Sequence, residues 1–137
     1  MISMADTFLL KIVTPDKDIF NGNIKRIFLK NSVGRLEILA NHANMVTSTI
    51  SSIVEFTDAD GKDRKLFISK GIASIFNNEM TIFSESAEFS DNIDLNRAEK
   101  AKERAEKRLL EGNKYDKERA ELALLRSIER INLKKMN

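Results

Sequence analysis

The stretch from residue 50 to residue 84, ISSIVEFTDADGKDRKLFISKGIASIFNNEMTIFS, decides the fold class. Short apolar runs alternate in it with turn signals, and these runs cover residues 50–57, 65–69, 71–76 and 80–84. Asp60-Gly61 and Asn77-Asn78 each separate two neighbouring runs, a position where such dipeptides close β-hairpins. The stretch therefore predicts two successive hairpins of an antiparallel sheet.

The segment before residue 50 continues this pattern, with further apolar runs at residues 8–14, 24–30 and 33–39. Pro15 ends the first run, and the dipeptide Asn21-Gly22 predicts a turn before the second. Seven or eight short strands at this spacing are typical of an antiparallel sandwich or flattened barrel. We predict an α+β chain in which residues 1–90 form an antiparallel β-sandwich.

The pattern changes after Ser90. Residues 95–111, LNRAEKAKERAEKRLLE, are rich in strong helix formers and lack Pro, Gly and β-branched residues. Asp91, Asn92 and Asp94 are candidate caps at the start of this helix, and Gly112-Asn113 predicts its end. A second helix is predicted over residues 117–135, so that residues 91–137 form an α-helical hairpin.

Each predicted helix has an apolar stripe. The stripe of the first is made mainly of small residues, namely Ala98, Ala101, Ala105 and Leu109, and that of the second consists of Ala120, Leu124, Ile128 and Ile131. The second helix also carries Leu122, Leu125 and Leu133 away from its stripe. This second apolar patch needs another surface, which is either the side of the sandwich or another polypeptide.

Several classes of function are excluded by composition. The 137 residues include no cysteine and a single histidine, His42. A thiolate nucleophile and a Cys-ligated metal site are therefore ruled out, and His42 has no neighbouring nucleophile and acid to work with. The scattered glycines form no phosphate-binding loop. We expect no catalytic residue and no metal site, and we interpret His42 as a structural loop residue.

The ends and the charge of the chain allow further expectations. No apolar run reaches the length of a membrane span, and the N-terminus lacks the features of a secretory signal, which predicts a cytoplasmic protein. Residues 1–93 carry 10 basic and 12 acidic side chains, whereas residues 94–137 carry 13 basic and 9 acidic ones. The basic hairpin indicates either an acidic partner or a well-solvated helical surface.

Four arginines of the predicted hairpin share a notable spacing. Arg97 and Arg104 are two turns apart on the first helix, and Arg126 and Arg130 share a face of the second. If these faces converge, the four guanidinium groups surround a gap lined by Ala98 and Ala101, which suits phosphate oxygens. The alternative from sequence alone is ordinary surface salt bridging.

The chain resembles the epsilon subunits of F-type ATP synthases over nearly its whole length. The resemblance rests on short motifs in both halves: Thr14-Pro15-Asp16, Phe20-Asn21-Gly22, residues 34–42, residues 68–72, Ile93-Asp94-Leu95-Asn96-Arg97-Ala98 and Arg119-Ala120-Glu121-Leu122-Ala123. The two motifs of the hairpin are the most specific. Departures from the family pattern lie mainly at residues 35–46, where Arg35, Glu37, Ala40-Asn41 and Asn44-Met45-Val46 replace the usual residues.

The resemblance implies a non-catalytic rotor subunit of the central stalk in a bacterial ATP synthase, coupling ion translocation to ATP synthesis. Its implied partners are the gamma subunit and the c subunits of the rotor ring, both docked on the sandwich, and the catalytic alpha and beta subunits. The hairpin would regulate ATP hydrolysis. The implied location is the cytoplasmic face of the cell membrane, reached only through the complex.

The resemblance also implies two sets of site residues in the hairpin, and no required cofactor. A regulatory ATP site would comprise Glu88, Ile93, Asp94, Arg97, Ala98, Arg104, Arg126 and Arg130. Contacts to the beta subunit would come from Arg119, Arg126, Arg130, Lys134 and Lys135.

A small basic nucleic-acid-binding module is the alternative function. The basic hairpin supports it, whereas the single Tyr115 and the interleaved glutamates leave no aromatic platform on the helices for stacking bases. A small hydrolase is a further alternative, and it fails because no nucleophile–base set is present.

Overall fold

The computed structural model describes residues 6–111 and 117–136. The chain divides into two compact units, Met1–Glu88 and Phe89–Asn137. The predicted helix end at Gly112-Asn113 and Tyr115 lie outside the described residues. The structure confirms the predicted fold class, a β-sandwich unit followed by a pair of helices.

The described residues 6–89 form nine strands: β1 (Phe8–Val13), β2 (Asp18–Lys30), β3 (Arg35–Leu39), β4 (Met45–Thr49), β5 (Ser52–Asp58), β6 (Asp63–Ile68), β7 (Gly71–Phe76), β8 (Glu79–Ser84) and β9 (Ala87–Phe89). Their order in the sheet is β4-β7-β8-β1-β2-β5-β6-β9, and β3 pairs with β2. β1 runs parallel to β8, whereas β1–β2, β2–β3, β2–β5, β4–β7, β5–β6 and β7–β8 are antiparallel.

The core follows from the alternation of side chains along each strand, because successive residues point to opposite faces. In β1, for example, Phe8, Leu10 and Ile12 are buried, while the residues between them are partly exposed. Large, fully buried side chains from five strands fill the interior, and they are Leu10, Ile12, Ile24, Ile27, Leu29, Phe56, Leu66, Phe67, Ile68, Met80 and Ile82.

The predicted turn at Asn21-Gly22 is wrong. Both residues lie inside β2, where Asn21 pairs with Lys11 and Gly22 pairs with Leu10. The chain turns earlier, between β1 and β2, and there the Thr14 amide donates to the Lys17 carbonyl at 3.0 Å. Ladder pairing with β1 outweighs the local turn propensity of the dipeptide.

The second unit contains a 3-10 turn (Ser90–Asn92) and helices α1 (Leu95–Leu110) and α2 (Lys117–Met136). α1 buries Ala98 and Ala105, and α2 buries Ala120, Ser127, Ile131 and Leu133. Within this unit the two helices pack against each other. The second apolar patch of α2 is only partly accessible, since Leu133 is fully buried and Leu122 and Leu125 are half-buried.

Candidate functional site: an arginine-lined cavity between the helices

Helix α1 begins at a capped turn. The Asp94 side chain accepts a hydrogen bond from the Arg97 amide at 3.1 Å, and Asp94 has the extended backbone of an N-cap residue. Ile93 and Ala98, on either side of this cap, are buried. The motif at residues 93–98 therefore has a clear structural role, which is to start the helix.

Small residues let the two helices approach each other. Ala105 on α1 and Ala120 and Ser127 on α2 are buried, and side-chain size at the contact sets the distance between packed helices. The Ser127 hydroxyl donates to the Ala123 carbonyl at 2.9 Å, which satisfies this donor within its own helix.

A cavity of ≈ 210 Å³ lies between α1 and α2. Four arginines line it, Arg104 and Arg108 from α1 and Arg126 and Arg130 from α2. The rest of its lining is small: Ala101, Ala105, Ala120, Ala123 and Ser127. The cavity therefore combines four arginine side chains with small uncharged residues, a chemistry that suits an anion.

Three of the four cavity arginines have no ion pair in the described part of the chain. Among residues 6–111 and 117–136, the guanidinium groups of Arg104, Arg108 and Arg126 form no salt bridge. The ion pair found on α1, Lys102 with Glu106 at 3.8 Å, is an exposed pair of small energetic value. Like charges four residues apart on a helix repel each other, so the pair formed by Arg104 and Arg108 favours a bound anion.

The residues of the predicted ATP site are divided by the structure. Arg104, Arg126 and Arg130 line the cavity. Asp94 and Arg97 lie at the start of α1, outside the lining, together with the buried Ile93 and Ala98. Glu88 lies on β9, in the other unit.

Arg108 is the cavity arginine that sequence reasoning missed. It follows Arg104 by four residues, and this spacing puts both side chains on the same face of α1. The same spacing pointed correctly to Arg126 and Arg130 as neighbours, so the signal for Arg108 was present in the sequence.

The five predicted contacts to the beta subunit also fall into groups. Arg119 and Lys135 are exposed on α2, and Arg126 and Arg130 face the cavity. The Lys134 ammonium donates to the Ser90 carbonyl at 3.1 Å, which ties the end of α2 to the 3-10 turn. In this arrangement of the hairpin, Lys134 is already engaged within its own unit.

A second concave surface lies on the sandwich. This apolar groove has a volume of ≈ 630 Å³, and its lining is Val13, Thr14, Pro15, Ser48, Thr49, Lys70, Gly71, Ile72, Phe83, Ser84 and Glu85. Strand register explains it, because Ser48 on β4, Ile72 on β7, Phe83 on β8 and Val13 on β1 are successive partners across four strands. Ile72 and Phe83 remain 51% and 53% exposed.

The groove was not predicted, although its signal lies in the alternation of β7 and β8. Ile72 and Phe83 occupy outward positions, where an exposed strand face usually carries polar residues. Thr49, at the same end of the sheet, is buried, and its hydroxyl has no hydrogen-bond partner in the described part of the chain. This face of the sandwich therefore keeps apolar surface and an unsatisfied hydroxyl close together.

The predicted loop histidine lies in a loop braced by asparagines. The Asn41 amide donates to the Asn78 side chain at 2.7 Å, and the Asn77 amide donates to the Asn44 side chain at 3.0 Å. The His42 Nδ1 lies 2.7 Å from the Ala43 carbonyl oxygen. These contacts fix the loop before β4 to the β7–β8 turn.

Arg35, one of the departures from the family pattern, has partners within the sandwich. Its guanidinium lies 3.4 Å from the Glu55 carboxylate and 4.2 Å from the ring centroid of Phe28. Both contacts are on the exposed face, and a cation–π contact of this kind contributes ~0.5–1 kcal/mol.

Neither helix in the described ranges is long and apolar enough to cross a membrane.

Comparison with known proteins agrees with this architecture. Residues 7–90 match the family model described as the beta-sandwich domain of the ATP synthase delta/epsilon chain, and residues 91–135 match its long alpha-helix domain. The chain is 97% identical over 134 residues to the ATP synthase epsilon chain of Clostridium botulinum (strain Alaska E43 / Type E3), covering 98% of this chain and 100% of that one.

More distant relatives agree. The ATP synthase epsilon chain of Clostridium novyi (strain NT) is 42% identical over 130 residues, which are 95% of this chain and 99% of that one. A chain in the cryo-EM structure of the Euglena gracilis mitochondrial ATP synthase has the same fold, with a TM-score of 0.80 and 22% identity over 93% of this chain and 81% of that one. Nothing in these similarities supports a nucleic-acid-binding module. The chain belongs to the ATP synthase delta/epsilon chain family, as an epsilon-type, non-catalytic subunit.

Proposed function

We propose that this epsilon-type subunit docks through its sandwich on the gamma subunit and the rotor ring, and that its hairpin regulates ATP hydrolysis in response to ATP. The observation that carries the regulatory part is the cavity with its four arginines. The complex would hold the subunit at the cytoplasmic face of the bacterial membrane. Its coupling role is mechanical, and bond chemistry stays with the alpha and beta subunits.

The apolar groove supports docking on the sandwich. Exposed apolar side chains that lie together mark protein interaction sites more often than singly scattered ones. Ile72 and Phe83 meet this description because they are neighbours on adjacent strands. We therefore propose the groove as the principal surface for the gamma subunit.

We expect residues 1–90 alone to fold and to bind the gamma subunit, because the sandwich unit has its own core. In this shortened chain, Phe83→Asp should weaken gamma binding by ~2 kcal/mol or more, the size of an interface hot spot. Val33→Asp is the control, since Val33 is 92% exposed and does not line the groove. The measurement is a pull-down with purified gamma, and loss of binding in both variants or in neither would contradict the assignment.

The arginine cavity supports binding of ATP by the hairpin. Guanidinium forks form paired hydrogen bonds with phosphate oxygens, and the two helices present such forks toward one space. In our proposal the phosphates lie among Arg104, Arg126 and Arg130, and the adenosine extends toward Asp94 at the start of α1. Because separation of the helices would disperse the arginines, ATP would bind only the compact hairpin and favour it.

Arg126→Ala should weaken ATP binding by ~1.5–3 kcal/mol, the contribution of a charged hydrogen bond, which is about 10- to 150-fold in the dissociation constant. Arg119→Ala is the matched control, because Arg119 is an exposed arginine of the same helix and does not line the cavity. Calorimetry on the full chain with ATP, with and without magnesium, measures both. Absence of heat and of a thermal shift at several millimolar ATP would refute the ATP site.

Regulation would arise because the same basic side chains of α2 serve the compact hairpin in one state and the beta subunit in the other. In the compact hairpin Arg126 and Arg130 line the cavity and Lys134 donates to Ser90, and we propose that all three meet acidic segments of the beta subunit when the hairpin extends. At a hundredfold excess over the dissociation constant, ATP would stabilise the compact form by ~2.7 kcal/mol. ATP therefore acts as a signal of energy status, and abundant ATP keeps the inhibitory extension rare.

A further inference from the structure

Another apolar patch lies on the same outer face of the sandwich as the groove. Val46 on β4 and Phe76 on β7 are 74% and 65% exposed, and neither lines the groove. Phe76 faces the same side of β7 as Ile72, because the two are four residues apart and successive side chains alternate. Val46 pairs with Ser74, which lies between them on that side, so Val46 and Phe76 are diagonal neighbours. We call Val46 and Phe76 the distal patch.

Small polar side chains join the distal patch to the groove. Ser74 on β7 pairs with Thr81 on β8, and both lie on the outer face between the two apolar clusters. The charges beside this band are Lys11, which pairs with Thr81, and Glu79, which pairs with Phe76, and their signs are opposite. Since these charges offset each other, the face fits a partner surface that is apolar and close to neutral.

The groove alone is smaller than a stable protein interface. Specific interfaces take about 20–30 residues from each partner, whereas eleven residues line the groove. A partner bound in the groove therefore also covers surface beside it. Phe76 lies ~13 Å from Ile72 along β7, and both side chains face the same way. The groove and the distal patch thus form one continuous docking face.

The distal patch is braced from both ends by asparagines. Two hydrogen bonds join the loop at residues 41–44 to the turn at Asn77-Asn78. Val46 follows this loop by two residues, and Phe76 directly precedes the turn. Side chains on a braced backbone lose less conformational freedom when a partner binds. The distal patch therefore has the preorganised character of a binding anchor.

We infer that the distal patch is a second anchor for the gamma subunit, with Phe76 as its main contact, so that gamma covers the outer face from the groove to the β7–β8 turn. This inference rests on the proposal that the groove binds gamma, and it adds the contact that the groove lacks. Apolar side chains that line one face are complementary to an apolar partner surface, and a large ring at the centre of such a contact gives the largest loss when it is changed.

The experiment is calorimetry with purified gamma and the full chain. Phe76→Asp should weaken gamma binding by about 30-fold or more, because it places a carboxylate in an apolar contact, whereas Phe76→Leu should stay within about fivefold of the original. Leu39→Asp is the matched control, since Leu39 is 51% exposed but lies on β3, which does not adjoin β4, β7 or β8. Urea unfolding checks each variant, and Phe76→Ala takes the place of Phe76→Asp if the carboxylate unfolds the sandwich.

The outcomes separate this inference from the proposal on which it rests. If Phe83→Asp weakens gamma binding and Phe76→Asp does not, the second anchor fails while the groove stands. If the full chain does not bind gamma at about 100 μM, both fail. Equal losses in Phe76→Asp and Leu39→Asp would show a general effect of added negative charge and would overturn the assignment.

Sedimentation of the free chain tests a second copy as the occupant of the distal patch. We expect a monomer, because the inferred partner is gamma. Dimers that form with rising concentration and that Phe76→Asp abolishes, together with unchanged gamma binding in that variant, would assign the patch to self-association and overturn the inference.

Discussion

Replacing Gly71 by alanine is expected to destabilise the sandwich by ~3–5 kcal/mol, a large part of the ~5–15 kcal/mol that stabilises a typical domain. Gly71 is the first residue of β7, where it pairs with Thr49 on one side and Ser84 on the other. A Cβ atom at this position would fall on the Phe83 carbonyl oxygen and lie 3.0 Å from the Ser84 Cα. Since these are backbone atoms of the paired strand, relief requires that β7 and β8 separate.

Gly22→Ala is the matched control for this effect. A Cβ atom at Gly22 would meet the Phe20 ring at 3.2 Å, and this is the far end of a side chain that can rotate away. Urea unfolding followed by circular dichroism should show a large drop in midpoint for Gly71→Ala and a small change for Gly22→Ala. Similar midpoints for the two variants would mean that β7 and β8 can shift apart at little cost.

The sequence pattern predicted best those strands in which a clear apolar run is bounded by turn residues. Gly71–Phe76 was predicted with the observed bounds, because an apolar run there ends at the turn dipeptide Asn77-Asn78. β4 was missed because Met45–Thr49 is a short strand at the end of the strand order, and its sequence MVTST shows little alternation of apolar and polar residues although its burial alternates. The parallel pairing of β1 with β8 was not predicted, because it joins segments far apart in the chain and local patterns report only on neighbouring segments.

The arginine cavity was predicted in part, for a geometric reason. Helical spacing shows which arginines share a face, and this placed Arg126 beside Arg130 correctly. It does not show at which level along two packed helices a gap will open. The gap opens at Arg104 and Arg108, whereas Arg97 is about 10 Å earlier along α1 than Arg104.

Shortening the chain after Gly112 should raise ATP hydrolysis by the assembled ATP synthase about two- to tenfold, which corresponds to an inhibited fraction between about one half and nine tenths. The deletion removes α2, and with it Arg126, Arg130 and the Lys134 contact to Ser90. In our proposal these groups hold either ATP or the beta subunit, so their loss abolishes the inhibited state. The sandwich and its groove are untouched, and the shortened subunit should therefore remain in the complex and preserve coupling.

The dependence on ATP concentration separates regulation from a general loosening of the enzyme. With the full-length subunit, inhibition should be strongest at low ATP, where the arginine cavity is empty and the hairpin is free to extend. With the shortened subunit, hydrolysis should follow ATP without this additional inhibition. Arg126→Ala should lie between them, because it weakens both the ATP site and the proposed contact to the beta subunit. Hydrolysis rates that are unchanged by the deletion at every ATP concentration would exclude a regulatory role for α2 and leave the hairpin as a structural element of the stalk.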